Sequence, residues 1–233
     1  MSIETASPKE NEVAFKWFNN YSGVTLKTPS KTLVVDPVDV SPKCFAKIDA
    51  ILITHEHYDH LDGLLVKNLY ERTGCRIIAD PTSTKKLRNS IAAEDLQEMK
   101  AGSETTIEGV TVQAAACNHS PANSPVTYLV TSEEGVKIFH TADSMPFPEM
   151  LEIGKKHKPD VAFCTVAIAP GTSPKTGAEI VKLVKPKVAV PYHTASKSDL
   201  NSFCEMLSKE APKVKCQIAE KDKVYIVGKQ RKK

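Results

Sequence analysis

The chain has 233 residues, 41% of them hydrophobic and 25% charged, with a formal net charge of +3. That is enough apolar material for a substantial core, and it falls within the ~200 to 250 residues that one sandwich domain often reaches, so a single domain over 13–228 is expected. No apolar run of about 18 residues and no basic-then-apolar leader is visible, so neither a membrane span nor a secretory signal is expected and the protein is placed in the cytoplasm.

Taken in chain order, residues 1–12 are polar and read as a flexible N-terminal tail. Apolar, β-branched runs then predict strands at Val13 to Phe18, Val24 to Lys27, Leu33 to Asp36 and Ala50 to Thr54. The fourth run ends in Thr54-His55-Glu56-His57-Tyr58-Asp59-His60, which gathers three of the chain's seven histidines and an aspartate into six positions. Such a cluster at a strand end reads as a metal site, because a rigid element holds the side chains while they face an open edge. Alternation in an extended segment sends His55 and His57 to one side. The turn into the next helix carries Asp59 and His60 toward a second point, at the ~3.5 to 4 Å typical of two-metal hydrolases.

A helix is predicted at about Leu64 to Arg72, then strands at Arg76 to Ala79, Thr111 to Ala116, Val126 to Val130 and Lys137 to Thr141. Helix and strand alternate afterwards. Helices are expected near Pro148 to His157, Thr176 to Val184 and Ser196 to Ser208, and strands at Val161 to Cys164, Lys187 to Pro191, Lys215 to Ile218 and Val224 to Val227. His119, Asp143 and His193 each follow one of these strands. Singly, each reads as a structural residue; after the first motif, and in this order, they read as further ligands.

This ordered set resembles the metallo-β-lactamase fold superfamily of two-metal hydrolases, over about Phe15 to His193. The resemblance implies a four-layer αββα sandwich with metals in a groove at one edge. By analogy, His55, His57 and His119 would hold one ion, Asp59, His60 and His193 the other, and Asp143 would bridge them. Two divalent cations are implied, zinc first, with manganese and iron also suited to imidazole and carboxylate. A hydroxide shared between them would cleave a small ester, lactone or phosphodiester, and Asp59 would orient it or take its proton. Asp59 and Asp143 are thus the expected catalytic carboxylates.

Within the superfamily, the aspartate at 143 disfavours antibiotic hydrolysis, and the 50 positions from Asp143 to His193 leave no room for a nuclease arm. The layout looks most like a group of small metal-dependent hydrolases that includes L-ascorbate phosphate lactonase. It departs from that group twice: Asn20-Tyr21-Ser22-Gly23 stands where Gly-His-Ser or Gly-His-Ala is common, and Ala142-Asp143 replaces Gly-Asp. A small nuclease and a metal-binding regulatory protein without catalysis are the alternative readings.

Other residues are open to more than one role. Tyr58, Asn118, Ser120, Asn123, Tyr192 and Thr194 flank predicted ligands and are candidates for substrate contact. His140 is either an orienting neighbour of a ligand or a strand residue with no role. The loop Ala169 to Pro174 is either a rim of the substrate pocket or a plain connection whose Ser173 or Thr176 caps the next helix. The six cysteines include no C-x-x-C pair and read as reduced thiols, Cys117 among them. Lys229, Arg231, Lys232 and Lys233 make 229–233 a basic C-terminal tail and leave the remainder near neutrality. No basic stripe interleaves with aromatics, so the expected partner is a small molecule rather than nucleic acid or membrane, with homo-oligomerisation left open.

Overall fold

The computed structural model describes residues 2–229; Met1 and the part of the basic tail beyond Lys229 lie outside the described residues. Two seven-stranded sheets form the molecule. In chain order the first half contains β1 (Glu12–Trp17), β2 (Val24–Lys27), β3 (Thr32–Val35), β4 (Ala50–Ile53), α1 (Gly63–Thr73), β5 (Arg76–Ala79), α2 (Pro81–Leu87) and β6 (Leu96–Glu98). The second half contains β7 (Glu104–Ile107), β8 (Val110–Ala116), β9 (Val126–Thr131), β10 (Lys137–His140), α3 (Met150–His157), β11 (Val161–Thr165), α4 (Pro174–Val184), β12 (Val188–Tyr192), α5 (Lys197–Glu210), β13 (Lys215–Cys216) and β14 (Val224–Gly228).

Strand order is β14-β1-β2-β3-β4-β5-β6 in one sheet and β13-β12-β11-β10-β9-β8-β7 in the other. Each is antiparallel on one side and parallel on the other, the change falling at β3 and at β10. β4 shows why its sequence is an unbroken apolar run. Ala50 and Leu52 face the core between the sheets, whereas Ile51 and Ile53 face Leu65, Val66 and Leu69 of α1 and Leu87 of α2. Both faces are buried, as parallel strands under crossover helices require. Helices α4 and α5 cover the second sheet through Ala178, Ile180, Val181, Val184, Leu200, Phe203 and Leu207. The result is the αββα sandwich expected from the sequence.

Direction decides where the ligand candidates emerge. β8, β10 and β12 run the same way, so His119, Asp143 and His193 leave one edge of the second sheet. The end of β4 is stitched to that edge: the Val126 N–H donates to Thr54 O (3.0 Å) and the buried Tyr128 hydroxyl to Ile53 O (2.9 Å).

Three expectations are corrected. The first dozen residues are not a loose tail, since Ile3 and Ala6 are buried against Ala14 and Lys27 Nζ donates to Glu4 O at 2.6 Å. Not all cysteines are free thiols: Cys204 on α5 and Cys216 on β13 form a disulfide, with their Cα atoms 5.5 Å apart. α5 lies alongside β13, and this brings together residues too far apart in sequence to read as a pair. Helix α2 and strands β6 and β7 are additional elements, all short and largely polar. Among the described residues no helix is long and apolar enough to cross a membrane.

Candidate metal centre

The site begins where β4 stops. The His60 and Leu61 N–H groups both donate to His57 O, closing a tight turn, and Asp62 then caps α1 by accepting from the Leu65 N–H (2.9 Å). Three imidazoles and a carboxylate are thereby fixed between a buried strand and a capped helix.

All seven predicted side chains converge. His55, His57 and His119 form one cluster and Asp59, His60, Asp143 and His193 a second, the candidate ligand atoms of each lying within 4.8 Å of one another. His57 Nδ1 lies 3.1 Å from His55 Nε2 and 3.2 Å from His119 Nε2. Asp143 stands between the clusters. Its Oδ2 is 3.2 Å from His60 Nε2, 3.8 Å from His119 Nε2 and 3.9 Å from His55 Nε2, and its Oδ1 is 3.4 Å from His193 Nε2. Asp59 Oδ2 lies 3.6 Å from His193 Nε2.

These spacings suit a cation. Donor atoms on a tetrahedron of ~2.1 Å radius are about 3.4 Å apart, within the observed range. The clearest sign is unsatisfied polarity: His60 Nε2, His193 Nε2 and Asp143 Oδ1 are buried without a hydrogen-bond partner. Native interiors seldom leave such atoms orphaned unless a metal or water meets them.

The surroundings fix the rings. Asp36, at the end of β3, is fully buried in the left-handed region (φ 44°). Its Oδ1 accepts from the Thr54 N–H, and its Oδ2 from Ser22 Oγ, Thr54 Oγ1 and His60 Nδ1, all at 2.8 Å. A carboxylate can only accept, so the His60 proton sits on Nδ1 and Nε2 is free to face the cluster. His193 is arranged likewise, its Nδ1 donating to Ala167 O at 3.1 Å. His140, also buried, donates from Nε2 to Ser22 O (2.9 Å) and accepts the Ala142 N–H on Nδ1 (3.3 Å), so it braces the loop that carries Ser22.

Electrostatics agree with this geometry. Burial alone would raise the Asp143 pKa, but His60, His193 and His55 hold it far below the carboxylate range. Burial would lower His60, yet Asp143 and Asp36 raise it well above the usual histidine value. His55 is pushed well down by burial and by His60. Asp59, which burial would raise, is kept low by His193 and His60. Burial and Asp143 push the Cys117 thiol up, so it remains protonated.

The flanking residues separate into structural and open positions. Glu56 Oε1 accepts from Asn123 N (2.9 Å) and Nδ2 (2.5 Å), which ties the His119 loop to the first motif. Tyr192 donates to Ala142 O (2.8 Å) and Thr194 to Asp199 Oδ2 (2.7 Å), while Ser144 Oγ accepts from the Asn118 N–H (2.9 Å). Ser173 and Thr176 make a reciprocal capping box on α4. Tyr58 stays open, 80% exposed between two ligand candidates. The sequence reading overlooked Asp36 and Ser22; an acidic residue closing the apolar run Leu33-Val34-Val35 was the available signal.

Residues 23–194 match the family model of the beta-lactamase superfamily domain. A UPF0173 metal-dependent hydrolase of Saccharolobus solfataricus is 27% identical over 207 residues, covering 82% of this chain and 90% of that protein. One from Staphylococcus aureus is 28% identical over 194 residues, covering 76% and 83%. Among solved structures, Igni18, a metallo hydrolase from Ignicoccus hospitalis, superposes with a TM-score of 0.80 at 19% identity, over 94% of this chain and all of that one. At that identity the likeness speaks for the fold.

Proposed function

The chain belongs to the beta-lactamase superfamily domain family as a metal-dependent hydrolase, and from that premise we propose that it holds two divalent cations and cleaves a small ester, lactone or phosphodiester. The observation that carries this reading is Asp143, which lies between the two clusters: its Oδ2 is 3.8 to 3.9 Å from His119 and His55 of the first and 3.2 Å from His60 of the second, and its Oδ1 is 3.4 Å from His193. The remaining donors divide into two sets, His55, His57 and His119 against Asp59, His60 and His193. All are imidazole or carboxylate, suited to zinc, manganese or iron.

Cations held by these residues would supply Lewis acidity and would lower the pKa of a water toward neutrality. The chain's own residues do the rest. Asp59, held ionised by His193 and His60, orients the attacking water and accepts its proton for delivery to the leaving group. Asp36 and Ala167 O keep His60 and His193 aimed inward through Nε2. Tyr21, its ring centroid 6.0 Å from that of His193, is close enough to the cluster to meet a bound substrate.

Metal analysis of protein purified without chelator, for wild type and Asp143→Ala, tests the reading. Two equivalents per chain are expected in the wild type and at most one in the variant. Turnover of at least one substrate from a panel of esters, lactones and phosphodiesters should accompany the loaded protein. A loaded wild type that retains a single ion, or full loading of Asp143→Ala, would refute the bridged pair.

A further inference from the structure

The loop between β11 and α4 contains one strained backbone position. Ile168 has φ 64°, the one β-branched residue in the left-handed region among the described residues. The Ala169 N–H donates back to Ala167 O at 2.7 Å, so Ile168 is the centre of a tight γ-turn, a strained geometry that glycine would adopt far more easily. Its side chain gains little in return, being 48% exposed. Strain of this kind clusters at functional sites when the surroundings over-determine it.

Here the surroundings are the metal centre. Ala167 O, which closes the turn, also accepts from His193 Nδ1 (3.1 Å) and from Thr172 Oγ1 (2.9 Å). Gly171 lies against Met145, two residues beyond Asp143. Of the four large hydrophobic side chains exposed among the described residues, Ile226 lies on β14. Tyr58 separates His57 from Asp59, Leu64 (69% exposed) opens α1 four residues past His60, and Ile168 adjoins the carbonyl that holds His193. The Tyr21 ring is also close to His193, their centroids 6.0 Å apart. Three of the four exposed apolar side chains thus lie within a few residues of ligand candidates or of the carbonyl that holds one, and Ile168 is displayed at a conformational cost.

We propose that Ile168 is a specificity-determining residue that receives, with Tyr58, the apolar part of the substrate, an acyl chain or aryl ring attached to the ester or lactone bond positioned over the His and Asp cluster. The assignment rests on the hydrolase reading and narrows it to substrates with an apolar group beside the scissile bond.

The test uses metal-loaded wild type, Ile168→Asn, which relieves the β-branched strain and removes the apolar surface, and Ile226→Asn as a surface control. Binding of acetate and octanoate, mimics of acid products, is measured by titration calorimetry alongside kcat/KM for p-nitrophenyl acetate and octanoate. Wild type and Ile226→Asn should favour octanoate by about 10-fold, and Ile168→Asn should lose most of that preference with its metal content unchanged and its melting temperature equal or higher. An unaltered preference in Ile168→Asn, or none in the wild type, would overturn the proposal. Loss of preference together with loss of metal would also overturn it, because Ile168 would then act only by supporting His193. If neither ester is turned over yet octanoate binding still depends on Ile168, the ester-hydrolase reading falls while the apolar subsite stands.

Discussion

At Asp36 four donors meet one buried carboxylate, and only one of them, the His60 imidazole, belongs to the metal cluster. The other three keep that carboxylate oriented, so its influence on the cluster passes through the fully buried His60 ring. Replacing Asp36 by Asn substitutes an amide donor for an acceptor and frees the His60 ring to turn. A 10- to 100-fold loss of metal affinity is expected, as for other partners of ligating histidines. Competition with a chromophoric chelator measures it, and unchanged affinity would show that packing alone holds His60. Ala142 shows a different residue-scale constraint. It precedes Asp143 at φ 49°, a region that favours glycine, and Tyr192 and His140 bond its carbonyl and amide. The side chain is tolerated because two buried partners fix the backbone conformation.

At the scale of elements, two joints carry the second half of the molecule. Gly154 of α3 sits so close to α4 that a Cβ there would lie 2.5 Å from Val184 O and 2.8 Å from Leu183 O. Both are backbone atoms that cannot swing aside, so Gly154→Ala should separate the helices and cost about 1 to 3 kcal/mol in denaturant unfolding. The second joint is the Cys204–Cys216 disulfide, which closes a loop with a sequence separation of 12. Chain entropy assigns such a link about 3 kcal/mol. Cys204→Ser, or wild type in reductant, should therefore melt lower by roughly 6 to 12 °C at the 2 to 4 °C per kcal/mol usual for this size. Equal melting with and without reductant would mean the link contributes nothing in solution.

For the whole molecule, stability and pH are coupled through the same buried groups. In metal-free protein, burial keeps His55, His119 and His140 below their usual pKa. The unfolded chain takes up protons that these folded sites refuse, so stability falls as pH drops below ~6.5. His60 has the opposite sign. Burial opposes its charge, but Asp143 and Asp36 raise its pKa well above the usual value, so its contribution is complete below ~6.5 and is lost as pH rises through the raised value. Metal-free stability should therefore peak near or somewhat above pH ~6.5 and decline on both sides. Loading with divalent ions should remove the alkaline decline, because binding requires His60 deprotonated. Melting curves from pH 5 to 9, with chelator and with metal, check this; a metal-free protein with no alkaline decline would show His60 to be neutral.

What the sequence alone determined was local in character. The seven His and Asp positions were legible because ligand chemistry depends on residue type, and each follows a strand whose apolar run is visible in one dimension. The doubly buried strands β4, β11 and β12 were legible for the same reason, and their boundaries shifted by only a residue or so. Tertiary structure decided the rest, because it rests on pairing between segments distant in the chain. β6 and β7 are short, polar-rich strands stabilised by neighbours in the sheet rather than by their own periodicity. Asp36, Ser22 and His140 acquire roles only when β2, β3, β4 and β10 converge. Cys204 meets Cys216 only after α5 turns back toward the sheet. Ile168 gives no sign in sequence, since a left-handed φ on a β-branched residue comes from hydrogen bonds made by its neighbours, not from any preference of its own.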